Sequence, residues 1–551
     1  MYNNMRITGL ASGIDTEEMI QNLMKAERVK VDRVEQDKQI LIWRQEAYNS
    51  INKDFVNFIL NSRKKFGLTS ITPRGTFRPN SYQNLNWVKK ATSSDESKAT
   101  VSSMGKALDG NYKVHVDRLA EGVSMASGSD ISENIKEKLV DGMSLKINGK
   151  SVTVKKTGDE VTMNDVVKAI NSTENIGVRA SYDANIGRFF LQTTETGKDA
   201  KIQITEADEA GKNFIEGLNL KVSYYDDTKK EKVTAEKFDL TKSYKGSNAI
   251  INFNGADNIE SSSNRITING ITMDLKDTGD FNVNVSTDVD GIYEKIEKFI
   301  NDYNELVDKT NKLLGEKQYR DYKPLTAEQK KAMEKEDIKL WEEKAKSGLL
   351  KSDDIIYRTM LNTRQSIYEE FKTDDGFSGA FKLITEIGIS TEQYSRGSAG
   401  GKLVIDEKKL KDAIAKNPEE VMELLFKAST VKEVENANGK KVKKNEGGGF
   451  VTRIHDNLML GMEEIIKKSG TGENADLYRG VKGSILLDFV SQHSSISLLD
   501  KDVLQYNRKI EDLNAMLFRK ENHYYAKFAA MEKAISRMNQ QSSWLTQQFM
   551  S

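Results

Sequence analysis

Apolar side chains recur at alternating steps of three and four residues at both ends of this chain, and no other feature limits its fold so strongly. Near the end, Phe528, Met531, Ile535, Met538, Leu545 and Phe549 hold one register, with Ser542 at the missing step. Because an α-helix completes a turn in about 3.6 residues, this spacing puts them on one helical face. At the start, Ile20, Val34, Leu41, Tyr48 and Phe55 share a seven-residue register broken only by Glu27, with Leu23, Ile51 and Phe58 at the companion position. Only four prolines occur, Pro73, Pro79, Pro324 and Pro418, so both ends are long stretches without a helix breaker. Asp15 or Thr16, followed by acidic Glu17 and Glu18, signals a helix start. One or two long helices are predicted from there to Phe66 and Gly67. A second is predicted from Val503 to the chain end. Within it Ile510, Leu513, Leu517 and Tyr524 keep a heptad, and the eleven-residue step from Leu517 to Phe528 locally unwinds a left-handed supercoil.

A chain of 551 residues is too long for one ordinary core, and typical folding-unit sizes suggest roughly three to five domains. From about Trp87 to Val285 the pattern changes to short alternating runs. NYKVHVDRLA, SLKINGKSVTV, GRFFLQTTET, NAIINFNGAD and NRITINGITMDL read as strands, with Asn148-Gly149 and Asn269-Gly270 suited to tight hairpin turns. A short helix over Asn164 to Ser172 interrupts them, so the middle third reads as two small mixed or β-rich domains. LKINGK and ITINGI resemble one another, which hints at a repeated hairpin. Helical periodicity returns at Ile292 and runs through Ile296, Phe299, Tyr303, Leu306 and Leu313. Further helices are predicted near Lys330 to Lys346, Ile355 to Phe371, Glu407 to Lys416 and Val451 to Lys468. The polar stretch from Ala428 to Gly449 reads as an exposed loop or hairpin. The fold class is therefore α+β and multidomain: terminal helices in a coiled coil, a helical-bundle domain and two β-rich middle domains.

Lys plus Arg balances Asp plus Glu at 83 each, so no global electrostatic pull toward nucleic acid or an anionic membrane is visible. No apolar run reaches the roughly 18 to 20 residues needed to cross a bilayer, and Met1 to Asp15 lacks the basic start and apolar core of a secretory signal. These rules alone imply a cytoplasmic protein. The absence of cysteine excludes disulfides, thiolate metal sites and cysteine nucleophiles, and weakly favours life outside the reducing cytosol.

Local patterns that invite chemistry have stronger structural explanations. YSRGSAGGKL contains Gly401-Lys402, but a phosphate-cradling loop needs Gly where Arg396 stands and Ser or Thr where Leu403 stands. A turn before the strand KLVID fits better. Ser286, Asp288, Asp290, Gly291 and Glu297 match the spacing of a calcium-binding EF-hand loop except for Ser at the first position. Yet FNVNV before them alternates like a strand, where that motif needs an entering helix, and the two aspartates suit the start of the helix that follows. The four histidines, His115, His455, His493 and His523, are scattered, and no GxSxG serine occurs. No catalytic, cofactor or metal site is predicted, and the protein is not expected to be an enzyme.

The terminal stripes carry the functional argument. One reading puts each in a single intramolecular bundle. The other has the two ends pair with each other and with further subunits, because a two-helix hairpin buries little and leaves apolar surface seeking partners. Both require the first and last helices to meet.

Four stretches, ITGLASGIDTEEMIQNLMKAE, GSNAIINFNGADNIESSSNRITINGITMDLK, YKPLTAEQKKAMEKEDIKLWEEKAKSGLL and YYAKFAAMEKAISRMNQQSSWLTQQF, together resemble the bacterial flagellar filament cap family, also called flagellar hook-associated protein 2 or FliD. The likeness spans nearly the whole chain. Leu145 to Ile204 is also similar to a small β-rich module of flagellin-related proteins. MYNN precedes the family's usual start, which makes Met5 an alternative initiator to Met1.

The resemblance implies a ring-like homo-oligomer at the distal filament tip that helps exported flagellin fold and insert and prevents its leakage. It implies secretion through the flagellar type III route without a cleavable signal, with an export chaperone, which reverses the cytoplasmic reading. Expected partners are further copies of the chain, flagellin and the export apparatus, with no nucleic acid, membrane insertion or cofactor. It divides the chain into a coiled-coil leg (1–44 and 510–551), a helical domain (45–84 and 289–509, with the insertion near 428–449), a β-rich head domain (85–128 and 215–288) and an inserted β-rich head domain (129–214). Leg packing and subunit contacts are expected from Ile20, Leu23, Val34, Leu41, Leu513, Leu517, Tyr524, Phe528, Met531, Ile535, Met538 and Leu545, and exchangeable filament contacts from Gln540, Gln541 and Gln547. Adhesion to a host surface ligand through the middle domains is a further expectation, as a secondary role. An extracellular coiled-coil adhesin or another flagellar junction protein is the alternative class.

Overall fold

The computed structural model describes residues 15–71, 77–128, 135, 138–371, 379–392, 400–435, 441–482, 485–493 and 496–550. The chain divides into two compact units, Met1–Asn80 with Tyr293–Ser551, and Ser81–Ile292.

The first unit is helical. Its opening helix, Thr16–Phe66, is one unbroken element. The Asp15 carboxylate accepts the N–H of Glu18 at 2.9 Å, Glu17 and Glu18 complement the positive end, and Arg63, Lys64 and Lys65 complement the negative one. Gly67 adopts φ 72° at the exit, and its N–H returns to the last turn. The second half of this helix is the centre of the core: Ile51, Phe55, Val56, Ile59 and Phe66 are all buried, each contributing about 1.5–3 kcal/mol by removal from water. Phe299, from the helix that runs on to Gly315, lies 5.4 Å from Phe58 and 5.5 Å from Phe66, and Phe426 lies 4.7 Å from Phe66. His455, on the helix Phe450–Ser469, is buried edge-on to Phe58 and Phe299, with Nε2 2.7 Å from the Ser62 hydroxyl.

Other expected helices appear as Lys335–Lys346, Asp354–Ile367, Glu407–Lys416 and Leu498–Met550. Helices at Pro418–Phe426, Ala475–Val481 and Ile485–His493 carry too few turns to stand out as periodicity. The polar stretch after Ala428 forms a hairpin, Thr430–Glu435 with Lys441–Glu446. Strand Leu403–Ile405 follows Gly400 and Gly401, both at positive φ; Arg396 of the glycine-rich stretch lies outside the described residues.

The second unit is β-rich and holds two cores. One lies between an antiparallel five-stranded sheet, in the order 256–261, 249–253, 110–118, 279–287 and 89–93, and a three-stranded sheet of 265–268, 271–275 and 99–103. Its inward positions alternate, as Val114, Val116, Ile251, Phe253, Phe281, Val283 and Val285 show. The other spans Val123 to Tyr244 and combines a five-stranded sheet, a three-stranded sheet and the helices Met163–Ser172 and Glu209–Gly217. The expected boundaries at 128 and 214 fall inside this second core, which takes in Met125, Phe214, Ile215, Leu218, Leu220 and Val222. Asn148-Gly149 and Asn269-Gly270 close two-residue hairpins with both residues at positive φ, and Asn254-Gly255 closes a third.

The calcium-like spacing at Ser286 falls where a strand, Gly279–Thr287, gives way to a helix, Val289–Gly315. The Asp288 carboxylate accepts the N–H of Gly291 at 3.0 Å, the act of a helix cap. Among the described residues no cluster of three or more metal-ligating side chains occurs.

Candidate assembly surface on the terminal helices

The first and last helices pack against each other in opposite directions. Partners retreat along Leu498–Met550 as one advances along Thr16–Phe66. The Tyr525 hydroxyl donates to the Glu17 carboxylate at 2.9 Å, and Lys520 Nζ stands 2.6 Å from Glu27. Lys38 Nζ reaches Asn507 Oδ1 at 3.0 Å, and the Gln45 amide donates to Asp500 at 2.8 Å and to the Ser469 carbonyl at 2.6 Å. Glu27, the one break in the N-terminal heptad, is thus the acceptor of a charge-assisted bond. Its hydrogen bond from Lys520 holds the carboxyl below its ordinary range. Burial pushes Asp500 upward, but hydrogen bonds from Ser497 and Gln45 outweigh it and leave the group lowered. Ser497 and Asp500 also bond reciprocally at the helix start, Oγ to Oδ2 at 2.6 Å and Asp500 N to Oγ at 3.1 Å.

The apolar residues named from the register differ in burial along this pair. Ile20, Val34 and Leu517 are buried. Leu41, Leu513, Tyr524, Phe528, Met531 and Ile535 are half-buried. Leu23, Met538 and Leu545 are exposed, and every residue from Arg537 to Met550 is exposed in this chain. Met538 keeps 66% of its surface in water and Phe549 keeps 86%. Gln540, Gln541 and Gln547 lie in the same exposed stretch. Met1 and Met5, with the rest of residues 1–14, lie outside the described residues.

Register alone overlooks several members of this surface. Val31 and Trp43 are buried although they fall outside the heptad, and position 43 lies about 200° round the helix from the stripe position 41, so its burial belongs to another face of the helix. Lys346 Nζ stands 5.0 Å over the Trp43 ring. Phe518, next to buried Leu517, is 65% exposed, and Trp544 is also largely exposed. The doublet Leu517-Phe518 was the available signal: two adjacent large apolar residues on a helix cannot both face one partner.

Long paired terminal helices, ending in an exposed apolar and amide-rich stretch, in a chain with a β-rich middle, are the make-up of a structural assembly protein. Residues 246–540 match the family described as flagellar hook-associated protein 2 C-terminus, and residues 12–122 match flagellar hook-associated protein 2 N-terminus. The chain belongs to the flagellar hook-associated protein 2 family, a family of structural flagellar proteins and not of enzymes.

It is 27% identical over 593 residues to flagellar hook-associated protein 2 of Halalkalibacterium halodurans, covering 99% of this chain and 100% of that one. It is 23% identical over 574 residues to the A-type flagellar hook-associated protein 2 of Pseudomonas aeruginosa, covering 99% and 98%. A crystal structure of the D1-D2-D3 domains of the flagellar cap protein FliD from Escherichia coli is also similar, at 18% identity and a TM-score of 0.47, over 75% of this chain and 96% of that chain.

Proposed function

We propose that this protein caps the distal end of the flagellar filament as a ring-like homo-oligomer and promotes the folding and insertion of exported flagellin, so that subunits do not leak away. The observation that carries the reading is the exposed end of the C-terminal helix. Met538, Trp544, Leu545, Phe549 and Met550 are all exposed large apolar side chains on the last turns of the helix Leu498–Met550. Burying such side chains releases about 1.5–3 kcal/mol each, so a partner that covers them gains several kcal/mol in total. Neighbouring copies and filament subunits are the proposed partners. Gln540, Gln541 and Gln547 offer them polar contacts that exchange without stranding a charge.

In this reading the leg comprises 1–44 and 510–551, the helical domain 45–84 and 289–509, and the head 85–288. Its apolar grip runs from Ile20, Leu23, Val34 and Leu41 to Leu513, Leu517, Tyr524, Phe528, Met531, Ile535, Met538 and Leu545. A cap must hold the tip and still move as each subunit arrives. Many modest contacts suit that task better than one rigid interface. The chain reaches the tip through the flagellar export apparatus with a chaperone and no cleaved signal, and a host ligand on the head is a secondary role.

Deletion of the gene tests the proposal. The expected result is an intact hook with flagellin released as monomer into the medium. Intact filaments with lost surface attachment would instead mark an adhesin.

A further inference from the structure

The two cores of the β-rich unit are joined by two chain passes, from Ala120 to Val123 and from Tyr244 to Ala249. Two strands linking two lobes ordinarily make a hinge. Here they are zipped to each other, since Glu121 N donates to Ser247 O at 2.9 Å and Ser247 N donates back to Glu121 O at 3.0 Å. A third segment, the loop around Gly197, locks onto both: Gly197 N donates to Glu121 O at 3.1 Å, and Gly246 N donates to Ala200 O at 2.8 Å. Gly246 has no room for a side chain. A Cβ there would run into the Glu121 carbonyl oxygen and stand 2.7 Å from that of Gly197. Gly197, at φ +99°, would bring a Cβ within 2.9 Å of Ser262 Cα, which belongs to the other lobe. Three backbones therefore meet at a distance only glycine permits.

Side chains clasp the same junction. The Asn248 side chain accepts from Lys198 N at 2.9 Å and donates to Glu260 at 2.8 Å, while Thr196 Oγ1 donates to Ser262 O at 2.6 Å. Arg118 donates to the Asn248 carbonyl at 2.9 Å and lies 4.4 Å over the Tyr225 ring of the inserted lobe. Asn248 and Ser247 are themselves buried.

We infer that this glycine-packed neck makes the two β lobes a single stiff arm with a fixed angle between them. Relative motion is the default for lobes joined by short linkers. At this junction it would have to break the zipper, the loop bonds and the side-chain clasp together. A load on one lobe is then passed to the other without bending.

The chain has no cysteine, so one engineered pair reports the angle cleanly. Spin labels at Glu174→Cys and Asp277→Cys, both exposed and one on each lobe, are measured by pulsed dipolar spectroscopy in the full-length protein. A narrow distance distribution is expected, with a width at least about doubled by Gly246→Val, as for freed domains. Asn248→Ala removes the clasp without adding volume and is expected to broaden the distribution too, which serves if Gly246→Val does not fold. A broad distribution in the unsubstituted neck overturns the inference, and so does an unchanged narrow one in the folded variants.

Discussion

His455 shows at the scale of one residue how the helical core responds to acid. Burial, with the Arg63 guanidinium nearby, drives its pKa well below the ordinary histidine range, so the folded chain keeps the ring neutral. The unfolded chain binds a proton near pH 6.5, and acid below that value therefore favours unfolding, by up to about 1.4 kcal/mol per pH unit. Neighbouring Asp456 is pushed up by burial and acts in the opposite sense, since its folded form takes up a proton first. Melting curves from pH 7 to 5 are expected to show a shallower loss of stability in His455→Gln than in the parent; equal slopes would remove His455 from the account. Tyr48 supplies a second case. Its hydroxyl donates to the buried Asp353 carboxylate, which also caps the helix Asp354–Ile367 and lies 3.5 Å from Arg44. Tyr48→Phe leaves Oδ2 of that buried carboxylate with only the longer Arg44 contact and is expected to cost roughly 1–3 kcal/mol in denaturant unfolding. A cost within error of zero would mean that Arg44 and the backbone N–H groups satisfy it alone. Tyr48 was legible as a heptad member, whereas its hydroxyl's partner, more than 300 positions away in the chain, was not.

Among the elements, the terminal helices were the most legible. Unbroken three-four periodicity, few prolines and a capping aspartate are local signals, and they forecast Thr16–Phe66 and Leu498–Met550 closely. The hairpins at Asn148-Gly149 and Asn269-Gly270 were legible for the same reason. The second core was less so, because Glu209–Gly217 is short and Lys221–Asp226 pairs with Ser124–Ala126, nearly a hundred residues earlier. Such long-range pairing leaves no periodic trace. Nor could periodicity tell that the apolar stripe is buried at Ile20 and Leu517 and bare at Phe549. That contrast separates stability from function. Removal of residues 537–551 is expected to leave the melting midpoint within about 2 °C of the parent, since residues 537–550 are exposed in the chain, yet to stop filament growth. The double change Phe528→Asp with Ile535→Asp, at half-buried positions, is expected to abolish growth as well. Normal motility and filament length in both strains would refute the assignment of the grip to this helix.

On the scale of the whole molecule, a helical unit whose last helix ends in exposed apolar side chains and a β-rich unit with two cores serve different needs. The helices supply surface that becomes buried only in company, and the β lobes supply a stiff body. Family membership fixes the organelle, and the capping role proposed above joins the two properties at the filament tip. Electron microscopy of filament tips, with the protein labelled on its β-rich unit, tests that role most directly. The account predicts one closed ring at the distal end of each filament, its helical legs directed into the last flagellin layer. Label spread along the filament or over the cell surface, with bare tips on growing filaments, would contradict it.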